Sequence, residues 1–98
     1  MEAYMKVSEL LAKGWCQRAW ALEKSGGVVS VNSQYAVSFC FVGAAARVFV
    51  RYADYDRFLQ VASQIAGKSV VAWQDAQGRT QAEVVALAQR VEAELESR

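Results

Sequence analysis

The sequence predicts an α+β fold that is mainly helical, with about four helices and one short β-hairpin packed around a central apolar helix. Three features predict it: a capped amphipathic helix near the C-terminal end, a long apolar segment in the middle, and a glycine turn followed by valines. At 98 residues the chain has the length of one domain, so we expect a single unit over 1–98.

The last helix is predicted to begin at Thr80. Its hydroxyl is a good N-cap, and Glu83, three residues further on, can accept a hydrogen bond from the Thr80 amide, which completes a capping box. The apolar residues that follow recur at the spacing of one helix face: Val84, Leu87, Ala88, Val91 and Leu95. This stripe predicts a helix that packs against a core.

At the other end, the segment Glu2 to Lys13 has the pattern of an amphipathic helix, and Gly14 is predicted to end it as a left-handed C-cap. The turn Lys24 to Gly27 then separates Trp20 to Leu22 from the β-branched stretch Val28 to Val31. Such a pattern is typical of a short hairpin.

The middle of the chain, Gln34 to Tyr52, is almost entirely apolar and predicts the central helix, with Asn32 or Ser33 as its N-cap. Residues 36–42 also alternate in the manner of a β-strand, so a strand remains an alternative there. The length of the segment and its alanine run favour the helix.

A third helix is predicted from Tyr55 to Ala66, with Asp54 as N-cap and Gly67 as the residue that ends it. Ser69 to Trp73 is predicted to be an apolar connector that leads to the last helix.

Charge and composition disfavour several classes of function. Eleven basic and ten acidic residues give a net charge of +1 without a basic block, which disfavours nucleic acid and anionic membranes as partners. The apolar run Tyr35 to Ala46 is shorter than the ~20 residues of a membrane span. The N-terminal residues lack the pattern of a signal peptide, so we expect a cytoplasmic protein.

The chain has no histidine, which excludes the common zinc sites and the Cys-His and Ser-His catalytic pairs. Cys16 and Cys40 are isolated, and in a reducing cytosol they are expected to be free, buried thiols. We therefore expect a protein that is not an enzyme and that has no cofactor and no metal.

Two groups of polar residues are candidate binding sites. Trp73, Asp75 and Arg79 could form an aromatic wall, a carboxylate and an anion-binding guanidinium. The alternative is structural: Asp75 would cap the turn amides, Arg79 would close the loop against Asp75, and Trp73 would fill the core beside Trp15.

The second group is Arg47, Arg51 and Arg57, which could contact phosphates or an acidic partner. The alternative is that these arginines pair with the nearby Asp54 or Asp56. If the group instead forms one exposed face, it predicts a nucleic-acid-binding regulator.

Three motifs occur in order along the chain: Gly14-Trp15-Cys16, the FCFVGA stretch from Phe39 to Ala44, and the WQDAQGRT stretch from Trp73 to Thr80. In these motifs the chain resembles a family of short, uncharacterised bacterial and phage proteins with GW(C/T), (W/F)CxxGA and WNDxxGRTxxEV motifs. Gln74 departs from the pattern, in which asparagine is usual.

The resemblance brings no assigned activity, but it implies a phage- or prophage-borne protein. The leading hypothesis is a small interaction module that binds a host protein or a second copy of itself, for example as an inhibitor of host defence. The alternatives are a small-ligand-binding or enzymatic domain that uses the Trp73, Asp75 and Arg79 loop, and the nucleic-acid-binding regulator.

Overall fold

The computed structural model describes residues 5–97 and confirms the mainly helical α+β class. Within these residues the elements follow one another in this order: α1 (Val7–Lys13), β1 (Ala21–Glu23), β2 (Ala36–Phe39), α2 (Phe41–Val48), α3 (Tyr52–Ala66), α4 (Val70–Gln74) and α5 (Gln81–Glu96). None of the helices in this part of the chain is long and apolar enough to cross a membrane.

The start of α5 is as predicted. Thr80 is the N-cap; its hydroxyl accepts a hydrogen bond from the Glu83 amide at 3.2 Å, and its own amide donates to Glu83 Oε1 at 2.9 Å. Val84, Leu87, Ala88 and Val91 are buried. A local capping motif therefore fixes where the longest helix among the described residues begins.

The first helix is shorter than predicted, because α1 begins at Val7. The predicted start at Glu2 lies outside the described part of the chain. Gly14 does follow the helix, but its backbone is extended rather than left-handed (φ −173°, ψ 129°). A Cβ at Gly14 would lie 2.1 Å from the Val37 carbonyl oxygen, so the glycine is needed for close packing against β2.

The hairpin was predicted with the wrong second strand. β1 pairs antiparallel with β2, with Ala21 opposite Phe39, whereas Val28 forms only an isolated bridge to Leu22. The turn at Gly26 is tight, and the chain then loops back before entering β2. Phe39 is 2% exposed in the core, whereas Val28 is exposed and Val29 and Val31 pack against the core only partly buried.

The predicted helix from Gln34 to Tyr52 is wrong in extent. Ala36–Phe39 is a strand, as the alternative held, and only Phe41–Val48 forms the central helix. Cys40 separates the two: its backbone is extended, and its Sγ accepts a hydrogen bond from the Gly43 amide at 3.2 Å. A cysteine thus serves as the N-cap, and Asn32 and Ser33 lie in the preceding turns.

The third helix begins earlier than predicted, at Tyr52, with Arg51 as N-cap and Asp54 in the first turn. Gly67 ends it in the left-handed conformation (φ 80°), as expected. The predicted connector is the short helix α4.

The core is built around α2. Its residues from Phe41 to Ala45 are all buried, and the Phe41 ring stacks on Phe58 of α3 with 5.7 Å between centroids. At Gly43 a Cβ would lie 1.9 Å from the carbonyl oxygen of Trp20, so the α2 backbone packs directly on the chain that leads into β1. The small residues of this helix therefore allow close packing of backbone against backbone.

Helix α1 is joined to α5 by a polar contact between Ser8 and Glu92. One carboxylate oxygen accepts a hydrogen bond from the Ser8 hydroxyl at 2.7 Å, and the other accepts from the Ser8 amide at 3.0 Å. Since Ser8 is in the first turn of α1, Glu92 satisfies an amide that has no partner within the helix.

Candidate functional site

The predicted loop from Trp73 to Thr80 includes the end of α4 and the connection to α5, and Gln74, the last residue of α4, is its most buried member. This side chain is 1% exposed. Its Oε1 accepts hydrogen bonds from Trp15 Nε1 at 2.7 Å and from the Phe41 amide at 3.0 Å. Its Nε2 donates to the Cys16 carbonyl at 3.3 Å and to Asp75 Oδ1 at 2.6 Å.

These four contacts fix the orientation of the Gln74 amide. The two groups at Oε1 can only donate, and the two groups at Nε2 can only accept. Gln74 therefore joins the loop, the N-terminus of α2 and the segment after α1. Sequence reasoning noted Gln74 only as a departure from a motif; its apolar neighbours in helical spacing, Val70 and Val71, gave no indication of a buried amide.

Asp75 does not cap the turn amides, and it does not pair with Arg79. Its Oδ1 accepts hydrogen bonds from the Arg18 amide at 3.1 Å and from Gln74 Nε2. Within residues 5–97, Oδ2 accepts none. Arg18 itself has a left-handed backbone, with φ of 65°.

Arg79 lies against Trp73. Its guanidinium carbon is 3.9 Å from the centroid of the indole ring, and its Nε donates to the Trp73 carbonyl at 2.9 Å. The same guanidinium is 3.5 Å from Glu83 Oε1. The hydrogen bond from the Thr80 amide, and secondarily the neighbouring Arg79, lower the pKa of Glu83 below its ordinary value.

Of the three predicted loop residues, the structure thus brings Trp73 and Arg79 together and turns Asp75 toward Arg18. Trp15, the expected neighbour of Trp73, donates its indole hydrogen to Gln74, and both tryptophans pack partly buried against the core. The stacking of Arg79 on Trp73 and its hydrogen bond to the Trp73 carbonyl hold the beginning of α5 against the end of α4.

The second predicted group lies on α2, on the α2–α3 connection and on α3. Arg47 donates to the carbonyls of Val31 and Ser33 at 2.8 and 3.0 Å, so it holds the loop before β2. Arg51 is 3.9 Å from Asp54. Arg57 is exposed on α3. Protein groups therefore already engage two of the three arginines.

The two cysteines are free thiols, Cys40 buried and Cys16 partly buried. Burial raises the pKa of both. Both therefore carry less thiolate at neutral pH than an exposed cysteine, which disfavours a nucleophilic role. Across residues 5–97 no three His, Cys, Asp or Glu side chains are grouped so that they could hold a metal ion.

Two of the concave surfaces that residues 5–97 form contain predicted site residues. The larger, which we call the apolar groove, has a volume of about 520 Å³ and runs between α1, the α2–α3 connection and the end of α5. Its apolar lining consists of Met5, Val7, Val48, Phe49, Val50, Phe58 and Leu95. Its charged residues are Lys6, Arg51, Asp54, Glu92 and Glu96.

The smaller surface, which we call the Asp75 cavity, has a volume of about 180 Å³. Its lining consists of Arg18, Ala19, Trp20, Cys40, Val42, Val71, Gln74 and Asp75. Of the predicted site residues, the apolar groove contains Arg51 and the Asp75 cavity contains Asp75. Sequence reasoning found neither surface, because both are assembled from segments that are distant along the chain.

Comparisons with known proteins give a family but no relative of known function. A search of curated proteins and a search of solved structures each produced no match. The model of a family of unknown function, DUF6197, matches residues 2–94. The match covers nearly the whole chain, and the protein therefore belongs to the DUF6197 family.

Proposed function

We propose that this protein is a small, non-enzymatic interaction module that binds a protein partner through the apolar groove. The observation that carries the proposal is the groove itself, a concave and mostly apolar surface beside Val50, whose side chain is 98% exposed. An exposed apolar patch with charged residues at its margin is typical of a binding surface.

The contacts of the loop before α5 support this choice over a site formed by Trp73, Asp75 and Arg79. Arg79 is engaged by the Trp73 ring and carbonyl and by Glu83, and Trp73 itself is partly buried beneath it. These contacts of Arg79 thus help to position α5. The groove, by contrast, offers apolar surface that no described element covers.

The charges around the groove indicate the chemistry of the partner. Lys6 lies 3.8 Å from Glu96, and Arg51 lies 3.9 Å from Asp54. Both ion pairs are largely exposed and have long N···O distances, so each contributes little stability. These side chains can therefore pair with charged residues of a partner instead. We infer a partner helix with apolar residues one turn apart and charges of both signs beside them.

The partner is proposed to be a host protein, with a second copy of the chain as the alternative. A phage or prophage origin, a cytoplasmic location and the inhibition of host defence are predictions that rest on the sequence and the resemblance.

The experiment is site-specific photo-crosslinking in lysate of the native host, with the photoreactive group at Val50. We expect a discrete adduct, which mass spectrometry identifies, and we expect Val50→Asp to abolish co-purification of the same protein. Val28→Asp is the matched control, because Val28 is also exposed, at 75%, and does not line the groove. Sedimentation of the purified chain distinguishes self-association from a host partner.

Equal retention of partners by Val50→Asp and Val28→Asp would contradict a role for the groove. If only Val28→Asp lost its partners, the binding surface would instead be the turn that precedes β2.

A further inference from the structure

Three residues with polar or aromatic groups line the Asp75 cavity: Asp75, one of whose carboxylate oxygens has no partner among residues 5–97, Arg18, whose guanidinium has none there either, and the half-exposed Trp20. We propose that it binds a small zwitterion, an α-amino acid or a compact analogue, with the ammonium group at Asp75 and the carboxylate at Arg18. The cavity is separate from the apolar groove, which is lined by other residues.

The carboxylate of Asp75 is held in place before any ligand arrives. Oδ1 accepts hydrogen bonds from the buried Gln74 amide at 2.6 Å and from the Arg18 backbone amide at 3.1 Å. Among residues 5–97 no group donates to Oδ2, which is reached by solvent. A fixed, charged acceptor with one free oxygen is suited to an ammonium donor.

Arg18, which lines the cavity, has an unusual backbone conformation. Its φ of 65° lies in the left-handed region, which non-glycine residues enter at a cost, and its amide is held there by Asp75. No described residue forms a hydrogen bond or an ion pair with its guanidinium. A guanidinium in this state can bind a carboxylate in bidentate fashion.

Trp20 supplies a third kind of contact. Its side chain is 53% exposed although it lines a cavity, and an indole face attracts ammonium groups. Val42 and Val71 add a small apolar wall. The volume of about 180 Å³ is below the range of drug-sized ligands, about 300–1,000 Å³, so the ligand is a small one.

The charges of the cavity select among ligand classes. One cation and one carboxylate line it, so a simple anion or a simple amine leaves one of the two without a partner. A zwitterion satisfies both and brings no net charge.

The test is a titration of the ¹⁵N-labelled protein with a panel of L-amino acids, followed by NMR. We expect one or a few amino acids to shift the amide signals of Arg18 and Asp75 and the indole signal of Trp20. The N-acetyl derivative and the methyl ester of the same amino acid should each lose these shifts, because each lacks one of the two charges.

Variants then test the assigned contacts. Asp75→Asn keeps an oxygen for the two internal donors but removes the charge, and Arg18→Lys keeps the charge but removes the bidentate fork; each should weaken binding about tenfold or more. Arg57→Ala, an exposed arginine on α3, is the control and should bind normally. Val50→Asp should also bind normally, which separates this proposal from the groove.

The proposal is overturned if no amino acid produces shifts at millimolar concentration. It is also overturned if the acetylated or esterified compound binds as well as the parent. Shifts that persist in both Asp75→Asn and Arg18→Lys would assign the binding to another surface.

Discussion

Gln74 shows how much one buried side chain can hold together. It accepts from the Trp15 indole and the Phe41 amide, and it donates to the Cys16 carbonyl and to Asp75. Three segments far apart in the sequence therefore depend on one amide. Because all four partners are polar groups in a nearly dry position, the loss of the amide leaves several of them unsatisfied.

We accordingly predict that Gln74→Leu lowers the free energy of unfolding by about 3 kcal/mol, since an apolar side chain of similar size leaves the Phe41 amide and the Trp15 indole without acceptors. Chemical denaturation measures the loss. Gln77→Ala, an exposed glutamine in the same loop, is the control and should change stability by no more than about 0.5 kcal/mol. Equal effects of the two substitutions would show that the network contributes little.

At this scale the sequence predicted a structured loop before α5 but not most of the contacts within it. Trp73 and Arg79 were grouped in one of the two interpretations of the loop, and they do stack; the other interpretation placed Arg79 against Asp75, which is wrong. The partner of Asp75 was not predictable, because Arg18 is remote in sequence and its left-handed backbone carries no sequence signature. The role of Gln74 was missed for the same reason: hydrogen bonds between distant segments leave no local pattern.

At the scale of the element, local chemistry predicted some helix ends and failed at others. The capping box at Thr80 and the glycine end of α3 involve residues within one turn of each other, and both are confirmed. The boundary between β2 and α2 was missed, because it depends on Cys40 as an N-cap and on the pairing of β2 with a distant strand. Alternating and helical patterns overlap in this apolar segment, so pairing decides between them.

The free energy of unfolding measured at acidic pH tests the capping box of α5. The pKa of Glu83 is lowered in the folded protein, so its contribution is fully present above the ordinary value of 4.5 and is lost as the pH falls through the folded value. We expect the difference in unfolding free energy between the wild type and Glu83→Gln to be larger at neutral pH than well below pH 4.5.

Thr80→Ala removes the hydroxyl N-cap and should cost about 1 kcal/mol, while Thr80→Ser should retain the cap. Thermal or chemical unfolding over a series of pH values provides the measurement. A Glu83→Gln difference that does not vary with pH would contradict the contribution of the carboxylate.

Helix α2 gives a second prediction at this scale. A methyl group at Gly43 would lie 1.9 Å from the Trp20 carbonyl oxygen, which belongs to backbone and cannot rotate away. We expect Gly43→Ala to destabilise the protein by about 3 kcal/mol, although alanine is the better helix former. Ala46→Gly, in the same helix, is the control and should lower the free energy of unfolding by only about 1 kcal/mol. If Gly43→Ala left the free energy of unfolding unchanged, α2 and the chain that leads into β1 would be able to move apart.

For the molecule as a whole, the packing of α1 on α5 brings together two ends of the described chain. Glu92 binds both the amide and the hydroxyl of Ser8, and Ser8 is 5% exposed. The sequence predicted amphipathic helices at both positions, but helical periodicity does not show which helices will be neighbours. This contact also forms one side of the apolar groove, since Glu92 lines it.

We predict that Glu92→Ala costs about 2 kcal/mol, because the Ser8 amide loses its acceptor. A double-mutant cycle with Ser8→Ala should give a coupling energy of about 1 kcal/mol or more, measured by chemical denaturation. Gln89→Ala, exposed on the same helix, is the control. Additive effects of Glu92→Ala and Ser8→Ala would show that the two residues act independently.

The hydrogen bonding of the small sheet limits the ways in which a partner can be recognised. β1 is bonded on both sides, to β2 and to the chain after Gly26, and β2 meets the segment from Gly14 to Cys16 at Phe39. Few main-chain groups are left for a foreign strand to extend the sheet, which also guards an apolar-rich chain against edge-to-edge aggregation. Any complex that this protein forms should accordingly depend on the identity of side chains, and single substitutions should be able to abolish it.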